Sequence, residues 1–533
     1  MRPFVVFHEQ SWNGTGILME NPCTGESLAM APGVHSGAII ASDTSDVPRR
    51  HLPLSRAFIR PETSMPDLAA LRALPADKRK EAGKALRDAA PRSGNAALPP
   101  LKDRGDPIAL LVATSATRIQ SLLPVRWARM VASPFTFLRG AAAVMARDLA
   151  QLPVSGIRVQ ASGDCHLMNF GIYASPEGRP VFDLNDFDET LSAPFEWDVK
   201  RLAASLVLAA RDAGHTPGAA KDMARAAVTA YRLRMGELAG LDPLTAWSSR
   251  VDITAMVQGI NDEATRAKEM DLLAKAAATP SAGDDFPRLA QGDGSQARIR
   301  DAPPLIYHFD EETDRQGQAA LRARALFTRY RDTLPEERRF LIDRYQLADV
   351  AFKVVGVGSV GTFCAIGLFV DPDGHPLFLQ VKEATASVLA PYAGASPYAN
   401  QGQRVVVGQR TLQTVSDGFL GWAADEAGRQ FYIRQLKDRR LASASTLMED
   451  DRLDFYATLC GATLARAHAR SGDAALIAGY LGNSGTFDDA VADFAAGYAE
   501  ISAADHGALK QAVADGRLEV ADLPRKAKGK KAG

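Results

Sequence analysis

The chain has 533 residues, 46% of them hydrophobic, and its 62 basic and 63 acidic residues nearly cancel. Such a length suggests roughly two to four domains, and the balanced charge excludes a protein-wide field for nucleic acid or an anionic membrane. Cys23, Cys165, Cys364 and Cys460 lie too far apart for a zinc site or a secreted disulfide framework, and no stretch reaches the roughly 20 apolar residues of a membrane span, so a reducing cytoplasm is expected.

Residues 1–65 scatter Pro, Gly, Ser and Thr without sustained periodicity and read as an irregular N-terminal arm. Helical spacing of apolar residues starts in "DPIALLVATSATRIQSLLPVRWARM" (106–130) and continues in "FLRGAAAVMARDLAQL" (137–152). "IRVQAS" (157–162) alternates as a strand, and "NFGIYAS" and "RPVFDL" read as two more, with "EGR" as the turn between them. Two amphipathic helices follow, "WDVKRLAASLVLAARDAG" (197–214) and "GAAKDMARAAVTAYRLRMGEL" (218–238). A polar stretch over 279–304 reads as a linker or surface excursion, and helical spacing returns near 318–347.

The composition then turns β-branched and glycine-rich. "DVAFKVVGVGSVGTFCAIGLFVDPDGHPLFLQVKEA" (349–384) holds three strands, with "DPDG" as a hairpin turn. "RVVVGQRTLQTVS" reads as a helix, "GRQFYIRQLKD" as a strand, and "DFYATLCGATLARAHARSG" (454–472) as a strong helix. The basic "PRKAKGKKAG" closes the chain as a tail. These shifts divide it into an arm (1–65), a helical part with a polar loop (66–348), a β-rich part (349–440), a second helical part (441–520) and the tail (521–533).

Chemistry concentrates in four places. "GDCHLMNFG" (163–171), bounded by strands, sets Asp164, His166 and Asn169 within six positions. Phosphoryl transfer needs one carboxylate to orient the attacking hydroxyl and further oxygens to hold Mg²⁺; Asp164 and Asn169 can supply both, and an ordinary turn is the bland alternative. "VFDLNDFDE" (181–189) crowds Asp183, Asp186, Asp188 and Glu189, a repulsion that a divalent cation would relieve; an acidic turn facing water is the alternative. Strict alternation puts Asp186 and Asp188 on one side and Asp183 on the other.

"VGVGSVGTF" (355–363) spaces Gly356, Gly358 and Gly361 as G-x-G-x-x-G, with Ser359 between them. A dinucleotide-binding fold requires a helix directly afterwards, and "TFCAIGLFV" is instead a strand. A hairpin whose bare main chain covers phosphates fits this context. In "LFLQVKEA" Lys382 ends a strand; buried there it would call for a phosphate partner with an acid on its other side, and a solvated strand end is the alternative.

"GDCHLMNF" followed by "NDFDE" resembles the catalytic loop and metal-binding segment of the aminoglycoside phosphotransferase and choline kinase branch of protein-kinase-like folds. "APFEWDVKRLAAS" looks like the helix start that follows in that branch, with Asp198 at its buried aspartate. "GVGSVGTF" and "LQVKEA" resemble the kinase glycine-rich loop and strand lysine. Together with "SPFTFLRGAAAVM", "FDLNDFDE" and "GATLARAHARSGD", these motifs look closer still like a bacterial family known as domain of unknown function 2252, over about residues 75–520.

The resemblance implies an α+β, protein-kinase-like fold of two lobes, a small antiparallel β lobe and a larger helical one. Because Gly356 and Lys382 follow Asp164 and do not precede it, it also implies a circular permutation. ATP and Mg²⁺ are the implied cofactors, with Gly356, Gly358, Ser359, Gly361 and Lys382 on the nucleotide. Asn169, Asp186, Asp188 and Asp183 are the candidate metal ligands, Asp186 having the spacing of the kinase metal aspartate and Asp183 being its rival. Asp164, Asn169 and Asp186 form the catalytic set.

The kinase pattern also has a glutamate on the helix at "RVVVGQRTLQ". None stands there, which leaves Gln409 or Glu383 as substitutes or the pair missing. His166 takes a structural role, holding the loop by a hydrogen bond. Arg126, Arg129 and Arg139 either bind an anionic substrate group or pair with acids and carbonyls. The expected activity is an ATP- and Mg²⁺-dependent phosphotransfer to a hydroxyl or amine of an unidentified small-molecule or protein acceptor. The alternative is a nucleotide-binding pseudokinase or a nucleotidyltransferase. A metal-dependent phosphoesterase needs further histidines in motif contexts, which His215, His308, His375 and His468 lack.

Overall fold

A computed structural model describes residues 68–522, apart from 176–179, 252, 259–261, 278–285, 287–288, 293, 304–305, 309–317, 355–357, 359 and 437–452. The expected arm, the "EGR" turn, Gly356, Ser359 and nearly all of the tail lie outside the described residues. The chain is a mixed α/β structure with small antiparallel sheets.

Its first half is mainly helical. Helices α1 (Ala76–Ala85), α2 (Pro107–Thr114), α3 (Leu123–Met130), α4 (Pro134–Gly140) and α5 (Ala142–Leu149) lead into strand β1 (Arg158–Ala161). Their starts are written in the sequence. Asp106 caps α2 by accepting from the Ile108 N–H ahead of Pro107, and Ser133 and Thr136 close a reciprocal capping box on α4. β2 (Phe170–Ala174) and β3 (Pro180–Leu184) then pair antiparallel, as expected, and β4 (Leu191–Pro194) returns to pair with β1. The alternation rule gave no hint of β4, which has only four residues.

Helix α6 (Phe195–Asp212) is buried on all sides from Phe195 to Ala210, so it forms the axis of the helical body. α7 (Pro217–Leu238) packs against it behind a Thr216 cap. Late in the chain, α10 (Leu453–Ser471), α11 (Ala474–Leu481) and α12 (Thr486–Ala514) close the same core, in which Phe195 stacks on Tyr231 at 6.2 Å and meets Phe487 at 6.0 Å.

Between these helices lies the larger sheet. Strands β5 (Ala290–Gln291) and β6 (Arg298–Ile299) form a short pair inside the stretch expected to be a linker. β7 (Ile306–Tyr307), β8 (Gln346–Lys353), β9 (Cys364–Val370), β10 (Pro376–Glu383), β11 (Gly421–Ala424) and β12 (Gln430–Gln435) form an antiparallel sheet of order β11-β12-β10-β9-β8-β7. The "DPDG" turn joins β9 to β10 as expected, with Gly374 at φ 89°. Helical spacing near 318–347 is realised in α8 (Gln318–Arg331) and a short helix at Glu336–Ile342; β8 already begins at Gln346.

The period of two in β10 and β12 gives the sheet two faces of different character. Leu379, Val381, Phe431 and Ile433 pack with Leu326, Phe327 and Tyr330 of α8. Gln380, Lys382, Tyr432 and Arg434 alternate onto the opposite face, where Lys382 stands directly across from Tyr432 and Gln380 across from Arg434. Helix α9 (Gln401–Leu412), capped by Asn400, carries Val405 and Val406 into the same core cluster as Tyr432. Among the described residues no helix is long and apolar enough to cross a membrane.

Candidate functional site

The loop after β1 is suspended from α6. Gly163 has φ 84°, and a Cβ there would collide with the Glu189 carbonyl oxygen, so only glycine lets the two segments close. Asp198, in the first turn of α6, accepts from the backbone N–H groups of Ser162 at 2.6 Å and Gly163 at 3.0 Å. It is held in turn by His468 Nε2 at 3.2 Å, whose Nδ1 meets the Tyr231 hydroxyl at 2.9 Å.

On this frame Asp164 is gripped by Arg201 of α6, through Nε at 2.7 Å and through Nη2. Asn169 donates its Nδ2 to the Asp164 carbonyl at 2.8 Å, which turns its Oδ1 into the ligand atom left for a cation. The backbone of His166 holds the loop, its N–H donating to the Asp164 carbonyl and its carbonyl accepting from Asn169, both at 2.8 Å. Its ring does not make the expected bond. Nδ1 has no hydrogen-bond partner among the described residues, and burial drives the imidazole pKa down to about 3.

The acidic segment divides. Asp183 is fully buried, pairs with Arg466 of α10, and accepts from the Leu184 and Thr414 N–H groups, each at 2.9 Å. Those bonds commit Asp183 away from the loop. Asp186 and Asp188 lie beyond the end of β3, where strand alternation no longer applies, yet they interact closely. Burial, reinforced by Asp188, raises the Asp186 carboxyl above its ordinary range, and Asp164 adds to the same effect.

Lys382 reaches Asp188 at 2.7 Å, and the Tyr432 hydroxyl donates to the other oxygen of Asp188 at 2.5 Å. Burial opposes the Asp188 charge, but Lys382 and these bonds outweigh it and hold the carboxyl below its ordinary range. The lysine's acidic partner is therefore on the acidic segment 181–189 and not on α9. α9 contributes Arg404, a buried guanidinium bonded to the carbonyls of Asp188, Thr190 and Thr385 at 2.8, 2.6 and 2.9 Å.

Gly358, Val360 and Gly361 approach the group from a distant segment of the chain. A Cβ at Gly358 would lie 3.8 Å from Asp164 Oδ2 and 3.2 Å from the Arg139 carbonyl, so the Gly358 backbone comes close to both. Arg126 donates to the carbonyls of Gly358 at 2.6 Å and Gly140 at 2.7 Å. Arg118 donates to Val360 at 2.7 Å, and the Ile119 N–H to Gly361 at 2.7 Å. Arg126 thus bonds to carbonyls, as one of its two expectations had it.

Asp164, Asn169, Asp186, Asp188, Gly358 and Lys382 thus lie in one neighbourhood, with Gly361 one step away on Arg118. Sequence reasoning missed Arg118, Arg201, Arg404, Tyr432 and Arg434. Arg201 alone left a signal, a cation inside the apolar run "RLAASLVLAA" one turn after Asp198. A family model described as "Uncharacterized protein conserved in bacteria (DUF2252)" matches residues 118–512. No curated protein and no solved structure matches the chain.

Proposed function

We propose that this chain, which belongs to that bacterial family, is an ATP- and Mg²⁺-dependent phosphotransferase built on a circularly permuted, protein-kinase-like pair of lobes. One observation carries the reading. Lys382, on the second strand after the glycine-rich segment, meets Asp188 at 2.7 Å across 194 residues of chain, while a Cβ built on Gly358 would lie 3.8 Å from Asp164 Oδ2. A glycine turn between two strands, a lysine on the next strand and then a helix is the order in which kinases build their phosphate-binding half.

The residues present suit the cofactors. Asp186 is a carboxylate whose ionisation burial and Asp188 disfavour, the condition a divalent cation relieves. Asn169 and Asp186 would hold Mg²⁺, which neutralises phosphate charge when bound. In this reading Lys382 leaves Asp188 to contact the phosphates, the glycine turn covers them, and Arg434 adds positive charge. Asp164 orients the acceptor hydroxyl or amine and takes its proton, held in place by Arg201. Asp183 keeps its structural pairing with Arg466.

The absence of a glutamate from α9 favours a second reading, in which the site binds nucleotide without transfer or transfers the nucleotidyl group. Incubation with ATP labelled at either end separates them. A kinase moves only the γ label, a nucleotidyltransferase only the α label, and a pseudokinase neither. Asp164→Ala should spare nucleotide binding and remove turnover, whereas Asp186→Ala should abolish the Mg²⁺ dependence. Undiminished activity in both variants defeats the assignment.

A further inference from the structure

The acidic segment that carries Asp186 and Asp188 is tied at both ends to one helix. At its start Gln413, directly after α9, donates its Nε2 to the Leu184 carbonyl at 2.7 Å, and the Thr414 N–H donates to the Asp183 carboxylate at 2.9 Å. At its far end Arg404, inside α9, donates Nη2 to the Asp188 carbonyl and Nη1 to the Thr190 carbonyl. A Cβ on Gly408, between these anchors, would collide with the Thr190 side chain, so helix and segment are in direct contact. Asp186 therefore stands on a short span, 185–187, whose two ends are set by the same helix.

Arg404 sits where the parts of the site join. Its third carbonyl is that of Thr385, three residues after Lys382, so one side chain fixes the main chain beside both members of the Lys382–Asp188 pair. Neighbouring bonds repeat the link. The Ser387 hydroxyl donates to the Glu189 carbonyl at 2.8 Å, and the Val388 N–H donates to the Glu189 carboxylate at 2.7 Å. The Thr190 hydroxyl in turn donates to the Ala161 carbonyl at 2.6 Å, at the end of the strand that leads into the Asp164 loop.

Arg404 is only 1% exposed, and its hydrogen bonds go to these three carbonyls and to Gln401 Oε1 at 2.7 Å. Burying a charge for such partners is costly. What the cost secures is geometry: a planar fork of donors spans two chain segments at once, which the two donors of an amide or the compact ammonium of a lysine cannot do. We infer that α9 is the frame of the cation site and Arg404 its positioning residue, setting where Asp186 and Asp188 stand without touching the cation. The inference rests on the cation-binding reading above and adds the element that sets its geometry. Two effects of Arg404 oppose each other, since its charge repels a cation while its fork holds the ligands in place. Placement prevails in this account, because groups that orient metal ligands are worth about ten- to a hundredfold in metal affinity.

Titration of the full chain with Mn²⁺, alone and with ADP, followed by the electron paramagnetic resonance of the free ion, tests it without turnover; Mn²⁺ takes the same oxygen ligands as Mg²⁺. Wild type should bind the ion and Asp186→Ala should lose it. A folded Arg404→Met chain should bind at least about tenfold more weakly. Arg404→Lys, which keeps the charge without the fork, should not restore the affinity. Gln413→Leu cuts the other anchor, should also weaken Mn²⁺ binding, and reads the frame independently should Arg404→Met not fold. An affinity in folded Arg404→Met equal to or tighter than wild type, full recovery in Arg404→Lys, or unchanged binding in folded Gln413→Leu overturns the positioning role and leaves the cation reading standing. No Mn²⁺ binding by the folded wild type, or binding that survives in Asp186→Ala, overturns both.

Discussion

Replacing Lys382 with Met keeps most of the aliphatic stem and removes the charge that faces Asp188. At 2.7 Å the ion pair is worth about 6 kcal/mol of direct attraction at an effective dielectric constant near 20, much of it offset by the desolvation of two charges. The relevant loss is that of stranding Asp188, which then keeps the Tyr432 hydroxyl and the field of Arg434 but stands next to Asp186. Removing one member of a buried pair costs about 3–5 kcal/mol, and because Asp188 keeps some access to water, Lys382→Met should lose about 2–4 kcal/mol. Urea unfolding can be followed by tryptophan fluorescence, to which Trp422, across from Tyr432 in the sheet, contributes. Adding Asp188→Asn should restore part of the loss, with a coupling energy of about 1–3 kcal/mol. A coupling energy near zero would show that the two side chains do not act as a pair in solution and would refute the reasoning.

Gly163→Ala should cost at least about 3 kcal/mol, because the new methyl meets the Glu189 carbonyl and the left-handed backbone penalises any side chain; a melting temperature equal to wild type contradicts this. Asp198→Ala leaves the Ser162 and Gly163 N–H groups and His468 without their acceptor and should lose about 3 kcal/mol or more, with Asp198→Asn milder, as read by chemical denaturation. His308 bridges Asp301 and Asp349 at 2.9 Å each, and the bond to Asp349 raises its pKa above the ordinary 6.5. A raised pKa stabilises fully below 6.5 and loses its contribution as pH rises through the raised value, so the melting temperature should fall over that window in wild type and more weakly in His308→Gln.

Much of the local structure was legible because it depends on short-range rules. Alternation in "IRVQAS" and in 349–384, the "DPDG" turn, and the helical spacing of 197–238 and 454–472 each correspond to elements of the structure. Residues 290–299 fared worse, since two-residue strands have no period to detect. Within the site, residue types crowded in one stretch were visible: Asp164 with Asn169, and Asp186 with Asp188. Long-range partners were not. Nothing near Asp183 in sequence announces Arg466, and nothing near Lys382 announces Asp188 or Tyr432, because these pairings follow from how β10, β12 and the acidic loop are stacked. The acid that meets Lys382 comes from the segment 181–189 and not from α9.

The central claim is that the glycine turn, Lys382 and the acidic loop form one phosphate- and cation-binding site. Thermal unfolding of the full chain with ATP, with and without Mg²⁺, tests it most directly. Binding at a hundredfold excess over Kd stabilises by about 2.7 kcal/mol, so the account predicts a clear rise in Tm that requires both ATP and Mg²⁺ and is lost in Asp186→Ala. An unchanged Tm at millimolar ATP with Mg²⁺, or an equal rise in Asp186→Ala, would contradict it.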